Sequence, residues 1–203
     1  MPLKFYTLFS LFISLNCLAQ KQEAYFLSQP SLAPDGQTVV FSFEGDIWRA
    51  GVNDGQALRL TGMQGNESNA KISPDGKWIA FTGRQFGNSD IYLVPVNGGE
   101  VKQLTFFSGN DDVSSWSWDS KQIYFTSNRF NNLSTYKVNV NGGTAVPVFN
   151  KHFFLHDHNV FENPASGELF FNDTWESSFQ LQRKGYKGPY NPDIQSYNPA
   201  TKT

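Results

Sequence analysis

Three histidines, His152, His156 and His158, are the residues of this 203-residue chain whose spacing suits metal binding. Alternate residues of a β-strand point to the same face, so His156 and His158 can reach one ion, and a His-x-His pair is a zinc geometry. The sequence places no cysteine or second carboxylate motif beside them to complete a coordination shell. A polar loop or a strand entering a sheet explains the cluster equally well, and we expect neither a bound metal nor another cofactor.

Three aspartates, Asp35, Asp75 and Asp119, are placed regularly enough to be considered as catalytic carboxylates. Each stands at the same position of a repeated turn, where an aspartate side chain commonly bonds the local backbone. The chain has no Gly-x-Ser-x-Gly nucleophile elbow and no serine–histidine spacing that indicates acyl transfer. The sequence therefore predicts that these aspartates stabilise turns and that the chain contains no catalytic residue.

A basic segment near the C-terminus contains Arg183, Lys184 and Lys187 around Tyr186. Cationic side chains that line a channel bind the carboxylate of a peptide. Runs of charge are also common in loops that are simply exposed to solvent. Both interpretations stay open, and we treat Arg183, Lys184 and Lys187 as candidate peptide-channel residues.

The elements that position these residues are predicted by a repeated turn. Pro-Asp-Gly occurs at residues 34–36 and 74–76, and degraded copies occur at 118–120 and 164–167. Proline, aspartate and glycine suit successive positions of a tight turn, and bulky strand-forming residues follow each copy. The repeats are roughly 40–45 residues long and contain several strands, which is typical of β-propeller blades.

We therefore predict an all-β fold, an incomplete propeller of about four blades, each a four-stranded antiparallel sheet. The predicted blades are residues about 28–62, 66–107 and 110–150, with an incomplete fourth at 156–203. Ser120 replaces the turn glycine in the third repeat. A left-handed serine costs about 1 kcal/mol relative to glycine, so we expect this turn either to change or to be strained.

Residues 1–19 have the pattern of a secretory signal peptide: Lys4, then an apolar run, then the small residues of a cleavage site before Gln20. The apolar run is too short to span a membrane as a helix. A lipoprotein anchor on Cys17 is the alternative, although Asn16 fits such a site poorly. The net charge of −2 favours neither nucleic acid nor an anionic membrane as a partner. We expect an exported, periplasmic or secreted protein without a membrane span, with residues 20–203 as its propeller domain.

The repeated motifs resemble a known family. Residues 73–81 (Ser-Pro-Asp-Gly-Lys-Trp-Ile-Ala-Phe), followed by Asp-Ile-Tyr, Gly-Gly and Leu-Thr, are similar to the blades of TolB-type propellers. Residues 41–48 (Phe-Ser-Phe-Glu-Gly-Asp-Ile-Trp) and 171–177 (Phe-Asn-Asp-Thr-Trp-Glu-Ser) more closely resemble the N-terminal propeller of tricorn-like serine peptidases. This resemblance covers roughly residues 23–203.

The resemblance implies a propeller that precedes a serine peptidase domain and admits peptides to it. It also implies further blades, because the propellers of that family have six or seven, so we expect a fragment whose two apolar flanks lack their neighbours. The expected partners are peptides or unfolded protein segments, the remaining blades and peptidase domain of the parent protein, and second copies of the chain. The alternative function is a TolB-like envelope scaffold that binds proteins without catalysis.

Overall fold

The structure is a computed structural model that describes residues 27–53, 55–130, 134–149, 157–173 and 194–203. These residues form four antiparallel sheets, in each of which neighbouring strands are also neighbours along the chain. In this described part of the chain, no helix has the length and hydropathy that crossing a membrane requires.

The strands of the four sheets follow one another in chain order. Sheet 1 contains β1 (Ser28–Leu32), β2 (Thr38–Phe43), β3 (Asp46–Gly51) and β4 (Ala57–Arg59). Sheet 2 contains β5 (Glu67–Ile72), β6 (Trp78–Gly83), β7 (Asp90–Pro95) and β8 (Lys102–Gln103). Sheet 3 contains β9 (Asp111–Trp116), β10 (Gln122–Ser127), β11 (Ser134–Asn139) and β12 (Val146–Pro147). Sheet 4 contains β13 (His158–Glu162), β14 (Leu169–Asn172) and β15 (Ile194–Tyr197). The predicted all-β fold of propeller sheets is confirmed.

The turn between the first two strands of each of the first three sheets is held by its aspartate. The Oδ1 atoms of Asp35, Asp75 and Asp119 accept the backbone N–H two residues later, at 2.9, 3.1 and 3.1 Å. These bonds confirm the predicted structural role of the three aspartates. Ser120 adopts a left-handed φ of 60°, close to the 71° of Gly76. Of the two outcomes expected at Ser120, a changed turn or a strained residue, the structure shows the second.

The sheets pack face to face through alternate residues of their strands. We call the face that packs on the next sheet the forward face, in sheets 1 to 3, and the face that packs on the previous sheet the backward face, in sheets 2 to 4. Phe81 on the backward face of sheet 2 shares a core with Val40 and Ile47 of sheet 1. Phe125 of sheet 3 packs in the same way on sheet 2, and Phe171 of sheet 4 on sheet 3. The period of two along each strand thus produces three apolar layers between four sheets.

The first strands of the sheets converge. Strands β1, β5, β9 and β13 contact one another in succession, whereas β4, β8 and β12 lie at the far edges of their sheets. We call β1, β5, β9 and β13 the inner strands. This arrangement is that of propeller blades around a common axis, and it brings residues from four distant segments of the sequence onto one surface.

Candidate functional site

Each inner strand interrupts its regular pairing with the second strand of its sheet. In three of the four, the interruption contains a non-glycine residue with a left-handed backbone: Gln29, Asn69 and Asn159 have φ values of 52°, 53° and 54°. Such residues bend an edge strand and discourage its pairing with another chain. Asparagine tolerates this conformation better than most residues because its short side chain can bond locally.

Polar side chains lie at or close to these interruptions of the inner strands. We define the inner polar row as Gln29, Asn69, Asp112 and Asn159, of which Gln29 and Asn159 are exposed and the other two half-buried. The backbone N–H of Asn69 donates to Oε1 of Gln29 at 2.8 Å, which joins sheets 1 and 2. Amide side chains both donate and accept hydrogen bonds. The amide side chains of Gln29, Asn69 and Asn159 therefore place both donors and acceptors on the inner strands.

A buried acid lies at the start of three inner strands. Glu67 and Asp111 are the first residues of β5 and β9, and Asp157 directly precedes β13. Glu67 accepts a hydrogen bond from the Thr61 hydroxyl, and burial raises the pKa of Glu67. Asp111 forms an ion pair with Arg129, with an Nη2–Oδ2 distance of 2.6 Å. These acids tie the ends of the inner strands to neighbouring segments of the chain.

Asp157 performs in sheet 3 a role that threonine performs in the first two sheets. Oγ1 atoms of Thr61 and Thr105 accept the backbone N–H of Ile47 and Ile91, at 2.9 and 3.0 Å. In sheet 3 the equivalent N–H belongs to Thr135, and it donates to Oδ2 of Asp157 at 2.5 Å. Sheet 4 thus supplies a carboxylate where the earlier sheets use their own hydroxyl. Burial raises the pKa of Asp157 to about 6.

The raised pKa of Asp157 predicts a stability that falls as the pH rises. In the unfolded chain an aspartate ionises near pH 4, about two units below the native Asp157 pKa. Between these values the native state holds more protons than the unfolded state, so ionisation favours unfolding. We expect Asp157 to cost roughly 3 kcal/mol of unfolding free energy between about pH 4 and pH 6.5, with little further change above.

Urea denaturation at a series of pH values measures this effect, with Asp157→Asn as the test variant. Asparagine stays neutral and keeps an oxygen that accepts the Thr135 N–H, so its curve should lack this fall. Asp119→Asn is the control, because the Ser117 hydroxyl holds the pKa of Asp119 below its usual value and Asp119 acts in the opposite direction. An unchanged pH slope in Asp157→Asn contradicts the assignment.

Only some of the candidate site residues predicted from the sequence lie in the described part of the chain. His158 is buried at the start of β13, with 1% of its surface exposed. His152 and His156 lie outside the described residues, as do Arg183, Lys184 and Lys187, so the metal and channel hypotheses stay predictions. Across the described ranges, no three His, Cys, Asp or Glu side chains come together in a metal-binding group.

Sequence reasoning missed both the inner polar row and the buried acids. The acids carried a detectable signal, because Glu67 and Asp111 stand at the same place in the second and third repeats. The polar row carried less, since Gln29, Asn69 and Asn159 are ordinary polar residues until a left-handed backbone exposes them. Their placement depends on the convergence of the inner strands.

Sheets that converge on their first strands and pack face to face define the chain as part of a β-propeller. The model of the tricorn protease N-terminal β-propeller domain family matches residues 24–203. The chain therefore belongs to this family.

Similar proteins agree with this assignment. A putative tricorn-like protease N-terminal subunit from Sulfurisphaera tokodaii is 43% identical over 53 residues, which are 25% of this chain and 27% of that protein. The crystal structure of tricorn protease matches with a TM-score of 0.69 and 21% identity over 87% of this chain and 18% of its own. TolB from Acinetobacter baumannii matches with a TM-score of 0.67 and 19% identity, over 87% of this chain and 42% of TolB. The chain thus spans less than half the length of each of these proteins, and the two structures show the shared fold.

Proposed function

We propose that this chain guides peptides in an exported tricorn-like serine peptidase whose catalytic residues lie in another part of the protein. Membership of the tricorn N-terminal propeller family supports the parent class. The inner polar row supports the peptide-binding role, because its amide side chains offer hydrogen bonds to any extended backbone.

Export is part of the same proposal and is supported by the sequence of residues 1–19. A basic residue, an apolar run and small residues before Gln20 are the parts of a secretory signal. Amino-terminal sequencing of the protein purified from its own cells tests this step. A mature chain that starts at Gln20 agrees with export through this signal, whereas retention of Met1 contradicts it.

The experiment for the binding role uses fluorescence anisotropy with labelled peptides from unfolded casein. The double variant Gln29→Ala/Asn159→Ala removes the two exposed amides of the row. One hydrogen bond contributes about 0.5–1.5 kcal/mol, so the dissociation constant should rise roughly tenfold. Asn141→Ala is the matched control, because Asn141 is exposed in the turn between β11 and β12, away from the inner strands.

Three outcomes contradict this function. Equal affinities of the double variant and the wild type place the peptide elsewhere. Cleavage of the peptide by the purified chain, abolished by a serine-directed inhibitor, contradicts a non-catalytic role. Binding of folded proteins, with no preference for unfolded peptides, favours the alternative function, a TolB-like scaffold. The structural match to TolB is the observation that supports this alternative.

A further inference from the structure

Three phenylalanines are strongly exposed at one end of the propeller. Because neighbouring strands of each sheet run antiparallel, the connection between the second and third strands and the connection to the next sheet lie at the same end. Phe86 lies between β6 and β7, Phe106 between β8 and β9, and Phe130 between β10 and β11. Their side chains are 73%, 77% and 51% exposed. We call the end of the propeller that carries these three residues the aromatic end.

Hydrogen bonds fix the three loops of the aromatic end to one another. Nδ2 of Asn88 donates to the carbonyl oxygen of Phe107 at 2.7 Å, and the backbone N–H of Ser89 donates to Oδ1 of Asn110 at 3.1 Å. The N–H of Asn110 in turn donates to Oδ1 of Asn128 at 2.9 Å. The exposed phenylalanines therefore stand on backbone that is already ordered, so a ligand that binds them loses less affinity to the ordering of loops.

The opposite end of the propeller has a different composition. Its turns between first and second strands contain Pro-Asp-Gly or a degraded copy, and its turns between third and fourth strands contain Asn-Asp-Gly or Asn-Gly-Gly. Among the described residues of that end, the exposed aromatic side chain is Trp118, which is 52% exposed. Exposed aromatic residues are thus concentrated at one end, and such a concentration commonly marks a binding surface.

The aromatic end leads directly into the inner polar row. The loop that carries Phe106 continues into β9 at Asp111, and the next residue is Asp112 of the row. Burial raises the pKa of Asp112, and the nearby guanidinium of Arg84, two residues before Phe86, opposes this rise. The loops of the aromatic end are therefore close to the row, and a peptide backbone on the row places its side chains within reach of the phenylalanines.

We propose that the aromatic end binds apolar side chains of the unfolded peptides whose backbone lies on the inner polar row. This proposal rests on the peptide-guiding function and adds selectivity to it. The amides of the row accept any backbone, whereas folded proteins bury most of the large apolar side chains that unfolded chains expose. Packing of such a side chain against a phenylalanine ring removes apolar surface from water. The chain thereby selects unfolded, apolar segments over folded proteins and polar peptides.

Fluorescence anisotropy with two labelled peptides of equal length tests this selectivity. One peptide has leucines separated by polar residues, and the other has serine in place of every leucine. The wild type should bind the leucine peptide about tenfold more tightly than the serine peptide, which corresponds to about 1.4 kcal/mol. The double variant Phe86→Ser/Phe106→Ser should lose most of this preference and bind the serine peptide as the wild type does. Circular dichroism verifies that the variant folds, as expected for substitutions at exposed positions.

Trp118→Ser is the matched control, because it removes an exposed aromatic side chain from the opposite end of the propeller. It should keep the preference of the wild type. Equal binding of both peptides by the wild type, weakened by Gln29→Ala/Asn159→Ala, overturns this proposal and leaves the peptide-binding function standing. Binding of neither peptide contradicts both. An equal loss of preference in Trp118→Ser also overturns the proposal, as does a phenylalanine variant that loses binding of folded proteins but not of the leucine peptide.

Discussion

Replacement of Arg129 by alanine is expected to lower the free energy of unfolding by about 3–5 kcal/mol. Arg129 is the ion-pair partner of Asp111, which has no exposed surface, and its Nη2 lies 2.6 Å from Oδ2 of Asp111. The guanidinium also stacks over the ring of Phe107, at 4.5 Å from the ring centre. Removing Arg129 leaves a buried charge without its counterion and takes away the cation–π contact.

Urea denaturation of the variant measures this loss, and the chain contains a matched control. Arg59 pairs with Asp46 at 2.8 Å in sheet 1, but its side chain is 52% exposed. Because solvent screens such a pair, Arg59→Ala should cost only about 1 kcal/mol or less. The double variant Asp111→Ala/Arg129→Ala should recover part of the loss, because it also removes the unpaired carboxylate. Equal effects of Arg59→Ala and Arg129→Ala contradict this account.

Gly65→Ala is expected to be the second large effect, with a loss of about 3 kcal/mol or more. Gly65 has a φ of +90°, and a Cβ there would meet the carbonyl oxygen of Arg84 and lie 2.8 Å from its carbon. The obstacle is backbone at the end of β6, which cannot move aside like a flexible side chain. The loop before sheet 2 must therefore shift away from that strand.

Gly76→Ala separates the clash from the cost of the backbone conformation. Gly76 has a φ of +71°, and its Cβ would meet nothing within 4 Å. Alanine there should cost only about 1 kcal/mol, the usual penalty for a left-handed residue with a side chain. Thermal or urea unfolding of the two variants gives the comparison. If Gly65→Ala proves no more damaging than Gly76→Ala, the close packing of the loop on Arg84 is contradicted.

Local features of the sequence were sufficient for the class of fold. The Pro-Asp-Gly turns predicted where strands reverse, because a turn is decided by the conformations that its own few residues allow. Ser120 also follows the turn pattern. Its hydroxyl accepts a hydrogen bond of 3.0 Å from the backbone N–H of Asp75, which lies in the neighbouring turn. The bulky side chains of Trp78, Ile79 and Phe81 after the second turn likewise predicted a strand.

Contacts between repeats could not be predicted in the same way. The hydrogen bond from the Thr135 N–H to Asp157 joins two sheets. Phe149 stands where Thr61 and Thr105 stand in the earlier sheets, and because it has no hydroxyl the N–H needs another acceptor. Nothing local to Asp157 distinguishes it from a surface aspartate. The repeat position of Asp111 could be read from the sequence, but not its partner Arg129, which lies in the connection between β10 and β11.

By itself, the sequence determined the turns, the strands that follow them and their repetition, because these depend on residues close together along the chain. Only the tertiary structure decided which residues share a surface: Gln29 accepts a hydrogen bond from the backbone of Asn69 because their two inner strands converge. It also decided that Phe161, Phe170 and Ile194 form one exposed face, since their alignment depends on the register between β13, β14 and β15. Register is set by pairing between strands, and pairing between distant segments is not encoded in any single stretch of residues.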